Sequence, residues 1–170
     1  MAKTSEPKLE QRGGHPYVGV MVETTIAEMG PKCVKAMDDL FAWVGQNEVP
    51  IDGPPFWRYA IINMEGIMHV EVGLTVTRPV AGEGEIKPGV VPEGKYAVMT
   101  YTGPWEGDGL YLATRDLLEW GKKNDIVWDR HDVPEGDAWT ARLEWYMSDP
   151  AVDHDPEKYV TELAFKVMSG

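Results

Sequence analysis

Residues 17–26, YVGVMVETTI, are dense in β-branched side chains and predict a strand. Gly30-Pro31 then puts a proline where a helix begins. Beyond it Cys33, Val34, Met37, Leu40, Phe41 and Val44 recur every three or four residues, one apolar stripe on a helix closed by Gly45 and the polar Gln46-Asn47. VPIDGPP (49–55) reads as a loop and FWRYAIIN (56–63) as an aromatic, β-branched strand. After a turn at Gly66, residues 68–80 alternate strictly. Val70, Val72, Leu74 and Val76 fall on one face, and His69, Glu71, Gly73 and Thr75 on the other, wetter one.

Residues 81–94 (AGEGEIKPGVVPEG) carry Gly or Pro every few positions and predict an internal boundary. The order of elements then repeats. Residues 95–105 predict a strand, and 109–123 a helix with Leu110, Ala113, Leu117 and Trp120 on one stripe. Residues 138–147 and 158–167 predict two further strands. The expected fold is therefore α+β: two fused βαββ halves (16–80 and 95–168) joined by a linker (81–94), behind a flexible charged tail (1–15). Helices on one side of the sheets bury one face of each half, which leaves the other faces for a shared ligand groove. The halves share negligible residue identity, so the repeat is one of elements.

Composition narrows the function. Sixteen Lys and Arg against 28 Asp and Glu give a net charge of −12, which repels phosphate backbones and argues against a nucleic-acid surface. No apolar run approaches membrane-spanning length, and the polar start lacks a secretory signal. A single cysteine, Cys33, suits a reducing cytoplasm, the expected location. Seven Trp and seven Tyr beside three Phe give most aromatic rings a polar tip, more than a plain core needs.

Chemistry concentrates in ARLEWYMSDP (141–150). On a strand, Arg142, Glu144 and Tyr146 share one side, while Leu143, Trp145 and Met147 share the other, apolar enough to meet a helix layer. An Arg–Glu cross-pair on a solvated strand accounts for this pattern. So does a carboxylate on a groove floor, with Arg142 and Tyr146 compensating its burial. Trp57, Tyr59, Trp105 and Trp139 sit at element ends or on faces open to either assignment, and a ring of such aromatics with a carboxylate holds flat or cationic molecules. Trp43, Trp120 and Trp145 are expected in the core. The four histidines (His15, His69, His131, His154) are scattered and lack cysteine partners, and no nucleotide-binding or serine-hydrolase motif occurs. Neither a metal nor a cofactor is expected, and Cys33 is expected to be inert.

GKYAVMTYTGPWEG (94–107), LLEW (117–120) and LEWYMSDP (143–150) resemble the second half of GyrI-like small-molecule-binding domains, and EVGLTV (71–76) resembles the last strand of their first half. The resemblance covers roughly residues 16–168. It implies two fused βαββ (SHS2-type) modules with a ligand cleft between them, and it maps the family's Glu-x-Tyr motif onto Glu144 and Tyr146. The family's usual tyrosine after Gly-Pro is Trp105 here, and Gly107-Asp108-Gly109 lengthens the turn. Family members serve as effector domains of drug-sensing regulators, as gyrase protectors, as small-molecule binders, and as hydrolases that open the cyclopropane of DNA-alkylating natural products in an aromatic cage. The tail (1–15) is too short for a helix-turn-helix, so direct DNA contact is not expected. The resemblance thus implies detoxification of planar or cationic compounds. Glu144 would activate water and Tyr146 would donate to a developing carbonyl oxygen, or Glu144 would serve only as counter-charge in a sequestering protein. Protection of gyrase is a third reading.

Overall fold

Both apolar stripes become helices where their periodicity predicts: α1 (Met29–Gln46) and α2 (Gly109–Lys123). The computed structural model describes residues 3–168. Ahead of α1 lie β1 (Lys3–Thr4), β2 (Lys8–Arg12) and β3 (His15–Thr24). Between the helices come β4 (Ile51–Ile62), β5 (Met68–Val76), β6 (Ile86–Val91) and β7 (Gly94–Thr102). After α2 follow β8 (Arg130–Val133), β9 (Gly136–Trp139), β10 (Arg142–Tyr146) and β11 (Val160–Lys166). One sheet runs β1-β7-β11-β10-β4-β5-β3-β6, with β2 also on β7 and the β8–β9 hairpin attached to β4. No helix among the described residues is long and apolar enough to cross a membrane.

The sheet order is a palindrome of the two halves. β3, β5 and β4 form one half and β7, β11 and β10 the other, and β4 and β10 pair antiparallel along the seam. β2 precedes β3 in the chain yet pairs with β7, while β6 precedes β7 yet pairs with β3. Each half therefore lends its leading strand to the outer edge of the other. This corrects two expectations. Much of the tail (1–15) is ordered as β1, β2 and the start of β3, with Arg12 Nη1 donating to Glu162 Oε1 at 2.8 Å; residues 1 and 2 lie outside the described residues. The linker (81–94) contains strand β6. Polar and Gly/Pro-rich composition suits an edge strand as well as a loop, because such a strand has one partner only.

Smaller departures have similar causes. Pro31 lies within the first turn of α1, whose N-cap is Glu28, a tolerated place because those backbone N–H groups have no helical acceptor. β4 begins at Ile51, inside the expected loop, with a register shift between Ile51 and Pro55 that accommodates the two prolines. The predicted strand 138–147 is two strands: β9 ends at Trp139 and β10 starts at Arg142.

A continuous cross-strand row, Met99–Leu163–Glu144–Trp57–Val72–Val20, traverses the sheet, so these side chains share one face. At one end of the row Met99 and Leu163 pack with Ala113 and Leu117 of α2. At the other, Val72 and Val20 pack with Cys33 and Met37 of α1. Both helices therefore lie on the face that carries Glu144, spread apart so that the seam between them is uncovered. The expectation that Leu143 and Trp145 would meet the helices is reversed. They point to the opposite face, into a layer with Tyr17, Phe56, Tyr96, Val98 and Ala164. There Phe56 lies so tightly over Gly73 that a Cβ at that glycine would come 2.4 Å from its ring. Glu71 is buried on this face, accepting from Tyr17 Oη at 2.6 Å and Arg58 Nε at 2.8 Å. Burial first, then the Glu71 charge, pushes the Tyr17 phenol far above its ordinary value.

Candidate functional site: a carboxylate in an aromatic cleft

The gap between the helices is a cleft of about 1280 Å³, floored by β4 and β10 and walled by α1 and α2. That is roomier than the roughly 300–1,000 Å³ usual for a small-molecule pocket, and it fits a polycyclic ligand. Each helical stripe is wider than the core beneath it, which explains the walls. Cys33, Leu40 and Val44 are buried, whereas Val34 and Phe41 on the flanks of the same stripe remain exposed and line the cleft. Leu110, Thr114 and Leu118 of α2 line the facing wall. Exposed Met64 and Met147 add deformable thioether surface at the rim.

At the centre of the floor sits Glu144, only 7% exposed. Tyr146 Oη donates to its Oε1 at 2.6 Å and Tyr59 Oη donates to the same oxygen at 2.9 Å. Oε2 accepts no hydrogen bond from any described residue, and both side-chain oxygens belong to a residue that lines the cleft. Burial raises the Glu144 carboxyl above the ordinary carboxylate value, and the two phenols and the Arg142 charge oppose that rise. The same burial, reinforced by the Glu144 charge, holds both phenols protonated far above their usual range. Tyr146 is caged in turn: Trp57 and Trp105 each meet its ring edge-on with centroids 5.4 Å away. Trp105 is fixed by an Nε1 bond of 2.9 Å to Thr161 Oγ1 and by Tyr159, whose ring centroid lies 4.5 Å from its own.

Arg142 also lines the cleft, its guanidinium 4.8 Å from the Trp139 ring and 4.9 Å from Phe165. Burial lowers the Arg142 pKa from its very high ordinary value, so it remains a cation.

Six of the seven residues singled out in the sequence thus meet in one cleft: Trp57, Tyr59, Trp105, Arg142, Glu144 and Tyr146. Trp139 does not line it. It is buried in the α2 layer against Trp128 and Phe165, with Nε1 held by Asp137 at 2.9 Å; the register against β4 breaks between Leu143 and Ala138, and β9 is held there between β4 and β8. The phenol assigned to a developing carbonyl oxygen, Tyr146, spends its only proton on Glu144. Cys33, expected to be inert, is buried, and burial pushes its thiol up to about 11. The sequence reading missed Tyr159, which supports Trp105 from the turn before β11. It also missed Val34, Phe41 and the methionines; a helical stripe too broad for one contact was the available signal.

Fold and site together are those of a small-molecule-binding domain. The chain belongs to the GyrI-like family: residues 5–168 match the GyrI-like small-molecule-binding domain. Among solved structures, the C-terminal domain of EcmrR superposes with a TM-score of 0.71 at 17% identity, covering 97% of this chain and 98% of that one. EcmrR in its DNA complex gives a TM-score of 0.76 at 18% identity; 97% of this chain is covered, and it spans 58% of that longer one. SAV2435 bound to tetraphenylphosphonium aligns at 15% identity and a TM-score of 0.57, over 97% of this chain and 95% of that one. A hydrolase from Listeria innocua aligns at 16% identity and a TM-score of 0.63, over 96% and 92%. At these identities the likeness is one of fold. No curated protein matches the sequence.

Proposed function

We propose that this domain captures lipophilic, flat or cationic xenobiotics in the cleft, with Glu144 as counter-charge and Trp57, Tyr59, Trp105 and Tyr146 as the surrounding cage. The observation that carries the reading is Glu144 itself: a buried carboxylate whose two phenol donors both serve Oε1, with no partner for Oε2 among the described residues. An ionised carboxylate in an apolar hollow is strained by lost hydration, and an incoming organic cation relieves that strain. Asp38, Glu106, Glu144 and Asp149 against Arg115 and Arg142 at the cleft lining, within a chain of net charge −12, favour the approach of cations. Tetraphenylphosphonium, the ligand of the structurally similar SAV2435, belongs to this chemical class.

Calorimetric titration with tetraphenylphosphonium between pH 4 and 8 tests the reading. Affinity should be highest at the alkaline end and fall as Glu144 takes up its proton, at a pH above that of an ordinary glutamate. Affinity independent of pH across this interval would refute the counter-charge.

A hydrolytic variant of this reading is favoured by the same Oε2, placed to accept a proton from water. In a strained cyclopropane conjugated to a carbonyl, the water oxygen bonds to a ring carbon and the strained carbon–carbon bond breaks. Its electron pair moves onto the carbonyl oxygen, which gains a proton while the water proton passes to Glu144. General-base assistance of this kind is worth about 10²–10⁴-fold. Mass spectrometry after incubation with such an alkylator should find the water adduct formed faster than in buffer. No acceleration, or none lost in Glu144→Gln, would leave binding alone.

A further inference from the structure

Arg142 is an uncommitted cation on the cleft floor. It forms no hydrogen bond or ion pair with any described residue, although two carboxylates lie near it. Asp137 is already engaged by Arg130 and by Trp139 Nε1. Glu144 gives its hydrogen-bonded oxygen to two tyrosines. None of the Arg142 nitrogens is sealed from solvent as an orphan; among described side chains only His15 Nε2 and Trp145 Nε1 are. What fixes the guanidinium is cation–π contact with Trp139 and Phe165, Phe165 being its register partner on β11. Cation–π contacts use none of the five N–H donors as hydrogen bonds, and those donors are left for something else.

Arg142 and Glu144 are two residues apart on one strand and so share a face about 6–7 Å apart. The cleft floor therefore carries a carboxylate and a guanidinium side by side, unbridged, each with bonding capacity left over. A cleft built for simple lipophilic cations has no use for the second charge, which repels them. We infer that Arg142 forms an acceptor-binding subsite, and that the preferred ligands are flat and dipolar. They carry a carbonyl, phenolate or carboxylate oxygen within several ångströms of a cationic or electron-poor centre. The inference rests on the cleft being the binding site proposed above and specifies what fills it. It also supplies the donor that Tyr146 does not. A conjugated carbonyl whose oxygen gains negative charge would find the Arg142 donors rather than the phenol.

The test compares rhodamine 110, which bears a free carboxylate, with its methyl ester rhodamine 123, and uses tetraphenylphosphonium as a cation without oxygen. Dissociation constants are measured for the wild type, Arg142→Met and Arg142→Lys. Arg142→Met keeps an unbranched apolar stem over the two rings, while Arg142→Lys keeps the charge without the planar fork. The wild type should bind the acid more tightly than the ester. Arg142→Met should lose about tenfold or more on the acid while holding or improving affinity for tetraphenylphosphonium, as expected for a lost charge-assisted hydrogen bond. Arg142→Lys should fall between. The acid-to-ester ratio is read within a single preparation, so it does not depend on the folded fraction. An unchanged ratio in Arg142→Met, with tetraphenylphosphonium still bound, would overturn this inference and leave the cleft standing. Failure of the wild type to bind all three compounds would overturn both.

Discussion

Glu144 and Trp57 are register partners across the β4–β10 seam, the middle one of the three residue pairs that join the two halves there. The pseudo-symmetric sheet thus brings a carboxylate and an indole together where the two helices diverge. One half contributes the charge and the other the flat apolar surface. Divergence at this one row turns a duplicated scaffold into an asymmetric site.

The phenols that hold Glu144 set the pH at which it charges. Burial is the larger influence and raises its pKa, while Tyr59 and Tyr146 counteract it. Removing either hydroxyl as Tyr59→Phe or Tyr146→Phe should shift the midpoint of cation binding to higher pH. Each loss should also cost about 1 kcal/mol of stability. Binding titrations across pH, paired with denaturant unfolding, check both.

The raised carboxyl has a stability consequence of its own. A folded-state pKa above the unfolded value means stability is fully present below the unfolded value and declines as pH rises through the folded one. Glu144→Gln should remove that decline. Relative to wild type, the variant should gain stability between pH 5 and pH 8, while at pH 4 the difference should shrink. Thermal unfolding at several pH values measures it, and a wild-type curve parallel to that of the variant would contradict the assignment.

On the opposite face, Gly73→Ala drives a methyl group into the Phe56 ring, 2.4 Å away in the present geometry. Phe56 is fully buried and has little room to yield. The substitution should cost about 1–3 kcal/mol, the usual range for overpacking, read as a lowered Tm.

Deleting residues 3–13 strips β1 and β2 from the outer edge of β7 and removes the Arg12–Glu162 pair. Loss of several ladder hydrogen bonds at roughly 1 kcal/mol each should lower stability by a few kcal/mol. The bared edge should promote association between copies. Unfolding and light scattering of the truncated chain test this, whereas a dispensable tail would leave both unchanged.

Periodicity made much of this architecture legible. The stripe Leu110–Ala113–Leu117 fixed α2, and the alternation along β5 placed Val70 and Val72 opposite Glu71. The Arg142, Glu144, Tyr146 alternation likewise put the three on one face. What periodicity does not encode is which face a helix covers. The apolar Leu143 and Trp145 have the character of helix-facing residues, but they are buried against Phe56, Tyr17 and Tyr96 instead. The crossed edges were equally hidden, since β2 and β6 pair with strands distant in the chain and their own residues are polar or Gly/Pro-rich. Trp139 was misplaced because its assignment depended on continuing β10 backward through Thr140, where the register against β4 breaks. The sharing of Oε1 by two tyrosines depends on a contact between residues 85 positions apart, Tyr59 and Glu144.

The most direct measurement is the affinity of wild type and Glu144→Gln for tetraphenylphosphonium at pH 7.5, followed by quenching of the cleft tryptophans. The substitution preserves shape and an acceptor oxygen while removing the charge. A loss of about tenfold or more, with no remaining pH dependence in the variant, is the result expected of a buried counter-charge. Equal affinities in the two proteins would contradict it.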